Sequence, residues 1–243
     1  MRVNRVFVGE PIVPRSGLEL AGAAANHVMR VLRLRPGDAL VLFDGHGGEY
    51  RATVETLGKE RVGVSVGEHL AVERESPLGI TLVQGIARGE RMDLIVQKAT
   101  ELGVARIVPV ASGRSVVRTD ERSADRKLAH WRAIAIAACE QCGRNRLPEV
   151  RAPTSWDAWL AARTPCAAAL VLSTRTSARL DVALPAVATM ELLIGPEGGL
   201  TEEEERAALA AGFRAARLGP RVLRTETAAI AALAAVQQLR GDF

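Results

Sequence analysis

"LLIGPEGGLTEEEERAALAAG", residues 192–212, joins an apolar run to a charged helix through a glycine-rich turn. Leu192, Leu193 and Ile194 have the composition of a buried strand, and Gly195-Pro196-Glu197-Gly198-Gly199 interrupts it. Thr201 opens the following helix as an N-cap, and Glu204 three positions on completes a capping box. Strand, glycine turn and helix in direct succession belong to α/β architecture, where such turns lie at strand carboxyl ends and receive ligands. A phosphate is the first candidate for a glycine-rich helix start. Neither G-x-G-x-x-G nor G-x-x-x-x-G-K-[ST] is present, however. Glu202, Glu203, Glu204 and Glu205 already complement the helix dipole. The expected ligand is therefore neutral or cationic overall and is held by backbone groups. A tight connection with no ligand is the alternative.

Working outward, strand and helix patterns alternate from residue 80. ITLVQGIA reads as a strand, and ERMDLIVQKATEL as an amphipathic helix with Met92, Ile95, Val96 and Ala99 on one side, ended by Gly103. RIVPV is a strand and about 122–142 a long helix. AAALVLS and MELLIG are buried-looking strands, AARLG a short strand, and ETAAIAALAAVQQLR the closing helix. This predicts an α/β domain on a mostly parallel sheet. Its candidate ligand loops are Ser173-Thr174, Gly195–Gly199 and Leu218–Arg224, all in the last third of the chain.

The first seventy residues differ. ALVLFD, EYRATVETL and RVGVSVG alternate as strands separated by DGHGG and GKE, a meander. Before them, AANHVMRVLRLRPGD reads as a short helix running into an extended segment, with Pro36-Gly37 as the turn. AVERESPLG at 71–79 reads as a linker.

The chain has 243 residues, 48% of them apolar and 25% charged, with a formal net charge of +4. No apolar run approaches the roughly 18 residues of a membrane span. MRVNRVFVGEPIVP lacks the apolar core of a secretory signal, which predicts a cytoplasmic protein. Charge is unevenly placed. Residues 76–153 hold thirteen basic and eight acidic side chains, against ten and ten before them and nine and ten after. That surplus suits either a solvated helix face or a polyanion footprint. Cys139 and Cys142 form a C-x-x-C inside a helical pattern, and no second ligand pair accompanies them. With His27, His46, His69 and His130 in no ligand spacing, no metal is expected. Hydrolase chemistry has no foothold either, since no G-x-S-x-G stands out.

Six segments in order, HVMRVLRLRPGD, RMDLIVQKATELGV, IVPVASGRSVV, ACEQCGR, LLIGPEGGLTEEE and RLGPRVLRTETAAIAAL, together resemble the RsmE-type 16S ribosomal RNA uridine N3-methyltransferases of the SPOUT superfamily. The departures are small: Ala87-Arg88-Gly89 stands where a lysine often precedes the glycine, and Cys142 where serine is common. The resemblance implies a PUA-like RNA-binding β-barrel over 1–72 and a methyltransferase domain over 76–243 with a deep trefoil knot. It also implies S-adenosylmethionine as cofactor, 16S ribosomal RNA or the small ribosomal subunit as substrate, and a homodimer. Knots are nearly absent from proteins, so alternation alone would predict an ordinary doubly wound sheet.

By the same resemblance, Leu172, Ser173, Ile194, Gly195, Pro196, Gly198, Gly199, Leu218, Gly219, Val222, Leu223, Arg224 and Thr227 would surround the donor. S-adenosylmethionine has a sulfonium and a zwitterionic amino acid and no phosphate, which suits the loop's chemistry. Glycines at 198 and 199 would allow positive φ and close approach. Methylating uracil N3 requires loss of its proton and stabilisation of charge on O2 and O4. Arg224 is the candidate for the second task, and Glu197 or Glu226 for the first. Arg5, Arg30, Arg33 and Arg35 in the barrel, with Arg114, Arg118 and Arg144 beyond it, are the candidate RNA contacts, chiefly to phosphate. Aromatic residues are 3% of the chain, so stacking platforms are scarce and specificity falls to RNA shape. An RNA-binding assembly factor without catalysis and a transfer-RNA methyltransferase are the competing readings. The intact donor loop argues against the first, and the N-terminal module against the second.

Overall fold

The computed structural model describes residues 4–115 and 121–243. Its contacts divide the chain into two compact units. One takes the chain up to Glu75 together with Ile136–Leu147, and the other takes Ser76–Ala135 and Pro148–Phe243. The inclusion of Ile136–Leu147 in the first unit has no counterpart in a division at 72–76.

In the first unit the elements are β1 (Arg5–Phe7), β2 (Gly17–Ala21), α1 (Gly22–Asn26), which continues as a π-turn over His27–Leu32, β3 (Ala39–Phe43), β4 (Glu49–Leu57) and β5 (Arg61–Leu70). The three strands read from sequence are β3, β4 and β5, an antiparallel meander. β1 and β2 become its edges, giving the order β1-β3-β4-β5-β2, with β1 parallel to β3. Alternate residues, including Leu40, Leu42, Val54, Val62 and Val64, point into a core closed by Val6, Ala25 and Val28. The π-turn ends at Arg33, which adopts φ +54°, and Gly37 at φ +93° makes the expected turn.

The segment from Ile136 is tied into this unit by polar contacts. Glu140 Oε1 accepts from the Phe7 amide at 3.0 Å. The Arg5 guanidinium donates to Asn145 Oδ1 at 2.5 Å and to the Arg144 carbonyl at 3.2 Å, and it pairs with Glu49 at 2.7 Å.

The second unit is built on β6 (Gly79–Gly85), α2 (Glu90–Glu101), β7 (Arg106–Ala111), α3 (Glu121–Cys142, whose last two turns belong to the first unit), β8 (Glu149–Val150), β9 (Thr154–Ser155), α4 (Trp156–Ala162), β10 (Ala169–Leu172), α5 (Leu180–Ala183), β11 (Thr189–Ile194), α6 (Glu202–Ala210), β12 (Arg214–Ala216) and α7 (Thr225–Arg240). Among the described residues its seven-stranded sheet runs β12-β10-β11-β6-β7-β8, with β9 also on β7, and every pairing is parallel. Parallel strands need cover on both faces, and the residues alternate accordingly. Ile80, Leu82, Leu170, Met190 and Leu192 face a core shared with Met92, Ile95, Val96 and Ala99 of α2 and with Ala229, Ala232, Leu233 and Val236 of α7. Val83, Val110, Ala169, Val171 and Leu193 face Trp156 and Trp159 of α4 and Ala208 of α6.

Strand order places the site. β11 inserts between β10 and β6, so β12, β10 and β11 are neighbours although the chain visits them in the order β10, β11, β12. The registers Leu172↔Ala216, Val171↔Leu193 and Ile194↔Gln84 bring the carboxyl ends of four strands to one level.

Candidate functional site

β11 ends at Ile194, and the next five residues fold back on themselves. The Gly199 amide donates to the Pro196 carbonyl at 2.8 Å, closing a four-residue turn. The glycines in this loop serve different purposes. Gly199 has φ +69°, which L side chains rarely adopt, and open space where a Cβ would stand. Gly198 has no positive φ, contrary to the expectation. A Cβ there would lie 3.1 Å from Arg114 Cβ, so it serves close packing. At Gly195 a Cβ would lie 2.9 Å from the Gly199 carbonyl carbon and the Leu200 nitrogen, because the loop returns across its own start. Beyond it, Thr201 and Glu204 form the expected capping box. The Glu204 carboxylate also accepts from the Gly113 amide at 2.7 Å.

The expected loops after β10, β11 and β12 line one cleft of about 270 Å³. Leu172, Ser173, Ile194, Gly195, Pro196, Gly198, Gly199, Leu218, Gly219, Val222 and Leu223 are all on its wall. Thr227 is not. It is exposed, whereas Thr225 lies on the wall and is buried. At about 100° per residue the two positions lie on nearly opposite sides of α7, which accounts for the misplacement. Arg224 is also off this wall and lines an adjoining cleft with Arg91, Glu197 and Glu226.

Two further features escaped the sequence reading. Gln84, fully buried at the end of β6, donates from Nε2 to Thr225 Oγ1 at 3.0 Å, and Thr225 Oγ1 donates to the Gly195 carbonyl at 2.7 Å. Arg217 lines the cleft, and its Nε is buried with no hydrogen-bond partner among the described residues. A polar residue ending an apolar strand signals the first; the second has no signal short of strand order.

Arg114, Arg175, Arg217 and Arg221 line the cleft against Glu197 and Glu205. The first-turn glutamates therefore do not set its charge: Glu204 is absorbed by capping and Glu205 pairs with Arg175. The inference of a ligand neutral or cationic overall loses its electrostatic basis, and cationic groups are at hand for an anionic part such as a carboxylate.

Glu197 accepts from the Arg88 amide at 2.9 Å and from Arg91 Nη1 at 3.0 Å. Burial works to raise its pKa, but these donors outweigh it and hold the carboxyl below the ordinary range. It is ionised at neutral pH and a weak base.

The candidate RNA contacts separate by burial. Arg30, Arg33 and Arg35 are exposed and form no ion pair among the described residues. Arg5 is 8% exposed and held by Glu49, Asn145 and the Phe43 ring, and Arg144 is 4% exposed and paired to Glu75 at 2.5 Å. Neither guanidinium is presented to a phosphate, and both brace the first unit. Arg114 is exposed but donates to the Gly198 carbonyl at 2.9 Å, which attaches it to the glycine turn. Arg118 lies outside the described residues. Cys139 is buried, which pushes its thiol up to about 12 and keeps it protonated. No helix among the described residues is long and apolar enough to cross a membrane.

Comparison with known proteins adds the following. Residues 74–237 match the RNA methyltransferase domain family, and residues 20–66 match the RNA methyltransferase PUA domain family. Ribosomal RNA small subunit methyltransferase E of Bacillus subtilis is 32% identical over 92% of each chain. Its counterpart from Mycobacterium bovis is 37% identical over 88% of this chain and 84% of that one. Among solved structures, a Legionella pneumophila protein described as a methyltransferase, with the cofactor SAM bound, superposes with a TM-score of 0.96 at 41% identity over the whole of both chains. A ribosomal RNA small subunit methyltransferase E from Neisseria gonorrhoeae, bound to S-adenosyl methionine, gives 0.90 at 39% identity over 99% of each.

Proposed function

This chain belongs to the RNA methyltransferase family that includes the ribosomal RNA small subunit methyltransferases E, and we propose that it transfers a methyl group from S-adenosylmethionine to N3 of a uridine in 16S ribosomal RNA. The observation that carries this reading is the convergence of the β10, β11 and β12 loops on one cleft. It supports a single binding site for a ligand gripped largely by backbone, and S-adenosylmethionine fits that chemistry. The adenine and sulfonium would lie against Leu172, Ile194, Leu218, Val222 and Leu223. The amino-acid carboxylate would approach the free Nε of Arg217.

The remaining parts of the proposal follow the same reading. Residues 1–72 would form the RNA-gripping module, using Arg30, Arg33 and Arg35, and residues 76–243 the catalytic domain. A trefoil knot in the catalytic domain belongs to the same proposal. A cytoplasmic homodimer paired through the catalytic domain completes it. Mass spectrometry of 16S ribosomal RNA from cells lacking the gene tests the function: one uridine loses 14 mass units, regained when the gene is restored. An unchanged nucleoside pattern overturns it.

A further inference from the structure

Arg91, Glu197, Arg224 and Glu226 line a cleft of about 290 Å³ that shares Glu197, Val222, Leu223 and Thr225 with the donor cleft. Its two inner carboxylates are not equivalent. Glu197 is already bonded to the Arg88 amide and to Arg91. The Glu226 side chain is 13% exposed, and its Oε2 is buried with no partner among the described residues, while Oε1 stands 3.9 Å from Arg91 Nε. A buried carboxylate oxygen without a donor is a destabilising arrangement that a ligand N–H relieves.

We propose that this adjoining cleft seats the acceptor base, with Glu226 as the proton acceptor and Arg91 as the group that stabilises charge on the ring. The inference rests on the methyl-transfer reading above. The uracil ring lies against Val222 and Leu223, with its N3–H donating to Glu226 Oε2. As that proton passes to Oε2, the N3 lone pair attacks the donor methyl carbon. An N3–C bond forms, and the S–C bond breaks with its electron pair returning to sulfur, so the sulfonium becomes a neutral thioether. Negative charge growing on O2 and O4 meets Arg91, which the Glu197 carboxylate holds in place. The cleft also selects uracil over cytosine. Cytosine N3 bears no proton and turns a lone pair toward the unpartnered carboxylate oxygen, and a site built for a donor rejects a base that lacks it.

Single-turnover methylation of small ribosomal subunits, with calorimetric titration of S-adenosylmethionine, tests this in the full chain, its Glu226→Gln and Arg91→Ala variants, and Arg91→Lys. The expected result for Glu226→Gln is donor affinity within about twofold of the parent and a rate lower by about 100-fold. The variant's rate should depend more steeply on pH than the parent's, because without the carboxylate transfer must wait on the ionisation of uracil itself. Arg91→Ala should lower the rate by a similar factor, and Arg91→Lys should restore part of it by returning the charge without the fork. A parent that methylates N3 while Glu226→Gln keeps its rate and profile overturns the base cleft alone. So does a rate loss matched by an equal loss of donor affinity, which would mark Glu226 as structural. A parent that leaves N3 unmethylated overturns the functional reading, and the base cleft falls with it.

Discussion

Gln84 and Thr225, 141 positions apart, meet at 3.0 Å where β6 ends and α7 begins, and the Thr225 hydroxyl passes the link on to the Gly195 carbonyl at 2.7 Å. The glycine turn is thereby fastened to the central strand and to the closing helix at one point. Thr225→Val keeps shape and volume but leaves the Gly195 carbonyl and the Gln84 amide without that partner. Loss of a buried hydrogen-bonding partner costs about 1–3 kcal/mol. The expected outcome is an unfolding free energy lower by that amount in urea titration, with a lower midpoint, and weaker S-adenosylmethionine binding. An unchanged midpoint would show that the loop is held by other contacts.

Gly199→Val tests the loop itself. Its φ of +69° costs a non-glycine residue about 1–2 kcal/mol, and β-branching adds to that. The new Cβ meets nothing within 4 Å, so the fold has room for it, but γ-methyls would extend into the cleft. Far-ultraviolet circular dichroism should be retained and calorimetric donor affinity should fall at least tenfold. Gly195→Ala should do worse, since its Cβ would stand 2.9 Å from backbone atoms that cannot step aside. A Gly199→Val variant with native donor affinity would move the site elsewhere.

Much of this was legible in the residues and some was not, for identifiable reasons. Long periodic segments such as 90–101 and 225–240 declared themselves, because one apolar face of each packs on the sheet. So did the capping box at Thr201, a local device with a local signature. The three ligand loops were found one by one, and only strand order made them neighbours. β1, with three residues, and β8 and β9, with two each, are too short to carry a period. Burial is what the sequence does not show: Arg5 and Arg144 look like any surface arginine, and their pairing with Glu49 and Glu75, 44 and 69 positions away, buries them. Thr225 rather than Thr227 lies on the cleft wall, a difference of helical phase that the sequence does not reveal.

Glu49 offers a test of that pairing. Its carboxyl is pushed up by burial but pulled further down by hydrogen bonds and charge from Arg5 and Arg74, leaving its pKa below the ordinary 4.5. A carboxyl depressed on folding contributes stability that is present above its unfolded value and lost as pH falls through the lower folded value. The acid limb of the stability profile should therefore include a Glu49 component below about pH 4.5, absent in Glu49→Gln. Removing one partner of a buried pair leaves the other charge uncompensated, and Glu49→Gln should cost about 3 kcal/mol near neutrality. Urea unfolding at pH 7 and pH 4 measures both effects.

A fragment beginning at Ser76 bears on the two compact units. Ile136–Leu147 belongs with the N-terminal residues, so the fragment would carry Glu140, Arg144 and Asn145 without Phe7, Glu75 and Arg5, their partners. The expected outcome is a protein that aggregates or unfolds several degrees below the full chain in a thermal scan. A fragment that also lacks 136–147, bridged by a short glycine-serine linker, should recover part of the loss. Equal melting of the simple fragment and the full chain would contradict the division.

The arginines of the first unit give the final test, in which affinity and stability should part. Arg33 is exposed at the end of the π-turn and forms no ion pair among the described residues, so Arg33→Ala should leave the unfolding free energy in urea within about 0.5 kcal/mol of the parent's. If its guanidinium meets a phosphate, the slope of log affinity against log salt should fall by about 0.9. Arg5→Ala should reverse the pattern. It removes a buried guanidinium from Glu49 and Asn145, so stability drops while the salt slope of the protein that remains folded stays as it was. Arg114→Ala belongs to neither class. Its bond to the Gly198 carbonyl predicts weakened S-adenosylmethionine binding, with RNA affinity changed only as far as the donor loop is disturbed. Filter binding of small subunits across a salt series, with donor titration alongside, separates the three. A salt slope that falls for Arg5→Ala and not for Arg33→Ala would return the buried arginine to the RNA interface and exclude the exposed one.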